Sequence, residues 1–158
     1  MTPDPTTTER RGDEIDRMTP RELDAAVAVE VMGYRWMVHK PGISSMKPGH
    51  RFLVRPDYDE MLAVCDPATG DEPLWNVGHE NPGAPPYSTD PAAAWQVVEK
   101  MTADGAHLFA MSRDRDGRYF VEIEYHGVYA DTAPLAICRA ALRAARSATA
   151  PATRTEKP

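Results

Sequence analysis

The chain has little of what marks most catalytic or exported proteins. It holds two cysteines, Cys65 and Cys138, too far apart in sequence for a C-x-x-C pair. With no apolar core in the opening "MTPDPTTTERRGDE" to act as a secretory leader, a reduced cytosolic setting is expected. Both cysteines read as buried small hydrophobes. No run of 18 apolar residues occurs, so a membrane-spanning helix is excluded. There is no G-x-S-x-G, H-E-x-x-H, P-loop or G-x-G-x-x-G. The five histidines are scattered, and none pairs with another at metal-ligand spacing. A net charge of −6 and a pI near 5.3 argue against general nucleic-acid binding. No cofactor, metal site or catalytic residue is expected.

What is present suits one folded domain. Of 158 residues, 42% are hydrophobic. Residues 1–18 and 147–158 are rich in Thr, Pro and charge, and read as tails unable to offset their ordering entropy. The folded domain is expected over 19–146. Its first helix opens at "TPREL", with Thr19 as N-cap, Pro20 in the first turn and Glu22 completing a capping box. Leu23, Ala26, Val27 and Val31 share a face, and Gly33 is the stop. "YRWMV", "RFLV" and "DEMLAVC" read as strands.

A second helix follows "PPYSTDP", with Asp90 as the best N-cap and Ser88 and Thr89 as competitors, and with Ala94, Trp95, Val98 and Met101 as its buried stripe. "HLFAMSR" and "YFVEIEY" form a hairpin about "DRDG". A third helix starts at Asp131 or Thr132 and buries Leu135, Cys138, Leu142 and Ala145, with Arg139, Arg143 and Arg146 toward its C-terminal end. The order hints at a duplicated helix-plus-two-strands unit. The fold class is α+β, with a mainly antiparallel sheet of about four strands and three helices to cover it.

Three segments, "TPRELDAAVAVEVMGYRW", "PPYSTDPAAAWQVVEKM" and "ADTAPLAICRAALRA", together resemble the phage ABA-sandwich domain, a family of small bacteriophage and prophage proteins. The resemblance implies a three-layer α/β/α sandwich, phage origin and a bacterial cytoplasm. It brings no reaction and no catalytic set. The segment between Trp36 and Phe52 is longer than the family pattern.

Two clusters suggest a ligand. From Arg35 to Arg55 the chain carries basic residues and no acid. There Ser44 and Ser45 lie between two Lys-Pro-Gly turns bearing Lys40 and Lys47, with His50 and Arg51 following. Such loops hold phosphate or carboxylate groups; the alternative is a solvated loop balancing Asp57, Asp59 and Glu60. Trp36, Trp75 and Tyr87 lie in or beside loops and offer rings for a base or sugar, or else close the ends of the core. His79 beside Glu80 forms an acid–base pair on paper. Ser88 and Tyr87 stand at the rim of the second helix, whose Asp90 cap and Pro91 leave little room for an anion at its N-terminus.

The expectation is a non-catalytic accessory protein binding a small anionic, nucleotide-like ligand, such as a bacterial immune signal, with a homo-oligomer enclosing it. The alternatives are a protein–protein inhibitor or adaptor acting on a host protein, and a hydrolase of small phosphate compounds using His79 and Glu80.

Overall fold

A computed structural model describes residues 14–42, 51–68, 83–103, 105 and 108–149, except for the side chains at 61 and 62. After a helical turn at 14–17, the elements run α1 (Pro20–Glu30), β1 (Arg35–His39), β2 (Arg51–Val54), a 3-10 turn (Asp59–Ala63) and β3 (Cys65–Pro67). They continue with α2 (Pro91–Thr102), β4 (Phe109–Arg113), β5 (Tyr119–Ile123), β6 (His126–Ala130) and α3 (Ala133–Thr149).

The class is α+β, and every described strand pairing is antiparallel. The strands divide into two three-stranded sheets, ordered β2-β1-β3 and β4-β5-β6. Two helix-plus-three-strand units thus precede the closing helix. Their strand orders differ, so the repeat is one of element count and not of topology.

Helix starts follow their local chemistry. Thr19 Oγ1 accepts from Glu22 N at 3.3 Å while the Glu22 carboxylate accepts from Thr19 N at 2.7 Å, a complete capping box. Asp90 accepts from Ala93 N at 2.7 Å, with Pro91 following as the first helical residue. Thr132 caps α3 by accepting from Leu135 N.

α3 lies at the centre. One side packs on β5 and β6, the other on α1 and α2. This is why Ala136, Ala140, Ala141 and Ala144 are all fully buried beside Ile137, Cys138 and Leu142: small side chains let these four neighbours approach one helix. Arg139 and Arg143 do more than complement the helix dipole. Both reach Asp16, at 3.7 and 2.8 Å. These ties, with Ile15 at 1% exposure, hold residues 14–18 against α3.

Three local expectations are corrected. Of "DEMLAVC", the part Asp59–Ala63 is a 3-10 turn and only Cys65 enters a strand. Trp95, expected on the buried stripe, is 48% exposed and meets the edge of Phe109 at 5.9 Å. β6 was not foreseen, because the turn before it places Glu124 and Tyr125 at φ 47° and 66° without a glycine.

Candidate functional site

A cleft of about 630 Å³ opens between the 14–17 turn, α1, the start of β1 and the end of α3. Gly33, at φ 77°, reverses the chain after α1. β1 follows, and Trp36 near its start shares the lining of the cleft with Met18, Ala25, Ala26 and Val29. The rim carries Glu14, Arg17, Glu22, Glu30 and Arg146.

The rim charges are held in place. Arg146 donates from Nε and Nη2 to the two Glu30 oxygens, both at 2.9 Å, with Glu14 3.8 Å away. This bidentate pairing pushes the Arg146 pKa further up. Glu22 is held below the usual carboxylate range, chiefly by the Thr19 backbone N–H. Three carboxylates face two guanidiniums around an apolar floor. The arrangement suits a planar ring with hydrogen-bond donors better than a polyanion.

The residues named from sequence part ways. Tyr87 is fully buried and Ser88 is 2% exposed. Ser88 donates its backbone N–H to Asp24 Oδ1 at 2.6 Å and its hydroxyl to Pro20 O at 3.3 Å. Ser88 thus fastens the entry of α2 to α1, and the burial of both side chains leaves no rim there. Lys40 lies just past β1, donating to Ala63 O at 3.2 Å and standing 3.9 Å from Asp66. Arg51 opens β2 opposite Val38. Ser44, Ser45, Lys47, His50, Trp75 and His79 lie outside the described residues. Trp36 is the ring suggested from sequence that does line the cleft. Glu14 and Arg17 were missed because their stretch reads as tail composition; the isolated apolar Ile15 was the available signal.

Burial, partly relieved by the Ser88 bonds, raises the Asp24 pKa above its ordinary value. A carboxyl with a raised folded pKa stabilises below the unfolded value and loses that contribution as pH rises through the folded one. Asp24→Asn keeps the acceptor, so at neutral pH it is expected to be at least as stable as the parent, with the parent regaining ground as pH falls toward 3.8. Asp24→Ala strands the Ser88 N–H and is expected to cost about 1–3 kcal/mol. Urea unfolding across pH checks both.

On the first sheet, His39 Nδ1 lies 3.6 Å from Cys65 Sγ. Burial pushes the Cys65 thiol pKa up, which disfavours the thiolate a nucleophile needs. Among the described residues, no three His, Cys, Asp or Glu side chains are placed to hold a metal ion, and no helix is long and apolar enough to cross a membrane.

Residues 73–142 match the family described as the phage ABA sandwich domain. The match takes in the second of the segments that carried the resemblance and the third as far as Leu142. A crystal structure of a phage protein from Bacillus cereus ATCC 14579 aligns at 23% identity and a TM-score of 0.45, covering 82% of this chain and 89% of that one. No curated protein matches the chain.

Proposed function

We propose that this phage-domain protein is a non-catalytic binder of a small nucleoside-like molecule, and that the ligand's ring lies on Trp36 in the cleft beside α1. The carrying observation is the cleft itself: about 630 Å³, with an indole on an apolar floor and a charged rim. That volume falls within the range of small-molecule sites, about 300–1,000 Å³. The carboxylates would accept from ring or ribose donors.

A thermal-shift panel of nucleosides, mononucleotides, cyclic dinucleotides and ADP-ribose derivatives tests this reading, with calorimetry on each hit. Trp36→Leu is expected to weaken a hit by roughly five- to a hundredfold, since stacking on an aromatic side chain contributes about 1–3 kcal/mol per base. A folded sample that shifts with none of these compounds, or a hit that Trp36→Leu leaves unchanged, overturns the proposal.

A further inference from the structure

We infer that a second copy of this chain docks along β4, joining two three-stranded sheets into one continuous six-stranded sheet. Among the described residues β4 ends its sheet, with β5 on one side. Glu124 N donates to Leu108 O, and Asp114 N to Arg118 O, at the two ends of the β4–β5 ladder. Bonded pairs alternate in an antiparallel ladder. Ala110 and Ser112 therefore turn toward β5, and Phe109, Met111 and Arg113 turn their N–H and C=O groups to the open edge.

Natural sheets protect such an edge with proline, lysine, a bulge or a covering element. "FAMSR" carries no proline or lysine, its pairing to β5 runs without a bulge, and among the described residues no helix packs across it. Instead it is flanked by apolar surface. Met111 is 46% exposed although it shares its register with the buried Val121 and Val128. Trp95 and Leu108 stand exposed beside it.

The strand complements itself. A two-fold axis through Met111 sets that residue against its mate, Ala110 against Ser112, and Phe109 against Arg113. All the outward N–H and C=O groups of β4 then find partners. No like charges face each other, the guanidinium meets a ring, and the Met111 side chains become buried. The surface is separate from the Trp36 cleft, so failure of either proposal leaves the other standing.

Sedimentation equilibrium over a dilution series reads the outcome. The full chain is expected to rise from 17.5 kDa to twice that mass. Met111→Lys places like charges on the axis and is expected to return the mass to that of one chain with the circular dichroism spectrum unchanged. A parent that stays monomeric throughout, or a folded Met111→Lys variant that still dimerises, overturns the inference. Should that variant unfold, hydrogen exchange on the parent decides: slow exchange at the Met111 amide in the concentrated sample supports the docked edge, and fast exchange overturns it.

Discussion

Tyr87→Ala is expected to destabilise the fold by about 3–5 kcal/mol, the cost of emptying a large aromatic site in a packed core. Typical domains of this kind are stable by about 5–15 kcal/mol in total, so the loss would be a large fraction. Tyr87 is the largest fully buried side chain of the described core. It sits where three parts of the chain converge. Ser88 next to it is bonded to Asp24 and Pro20 of α1. The carbonyl of Pro86 before it accepts from Asp90 N at 2.8 Å, fixing the start of α2. Just upstream, Gly83 at φ 90° lies so close to β2 that a Cβ would sit 2.7 Å from Leu53 O, so this segment cannot move to refill the space. Burial is the chief cause that pushes the Tyr87 phenol pKa far up. Tyr87→Phe keeps the ring and removes a buried hydroxyl that meets no hydrogen-bond partner among the described residues, so it is expected to cost under about 1 kcal/mol. Urea midpoints at unchanged slope measure both losses. Equal costs for the two variants would refute the assignment of Tyr87 to the core.

Leu142→Ala is expected to cost about 2–5 kcal/mol. Leu142 is fully buried on α3, the helix that touches β5, β6, α1 and α2 together. Leu135→Ala, at a partly buried position of the same helix, should cost less. A parallel pair of urea titrations checks the ranking; a larger loss at Leu135 would contradict the central placement of α3.

Much of this architecture is legible in the sequence where the determining chemistry is local. The Thr19–Glu22 box, the Asp90–Pro91 start and the Asp114–Gly117 turn are each set by side chains within a few residues of the backbone they cap. In that turn Asp114 accepts from Asp116 N and Arg118 N, at 3.0 and 2.8 Å. What is not legible depends on distant partners. Ile15 and Asp16 look like tail residues until Arg139 and Arg143 arrive from more than a hundred positions away. Trp95 fits a helical stripe, yet the face that α2 buries is that of Ala93, Ala94, Val97, Val98 and Met101, and Trp95 stands outside it against Phe109. The β5–β6 turn uses Glu124 and Tyr125 where glycine or asparagine is the usual signal. The cleft was half legible. Trp36 stood out as a ring beside a loop, while Glu14 and Arg17 became part of a rim only once the 14–17 turn had docked.

Amide hydrogen exchange on the full chain, with and without the strongest nucleotide hit, tests the central claim most directly. The account predicts slowed exchange through the cleft-facing half of α1 and around Trp36, with no such change in the Trp36→Leu variant at the same ligand concentration. Protection confined to other elements, with α1 and Trp36 exchanging as in the unliganded chain, would contradict it.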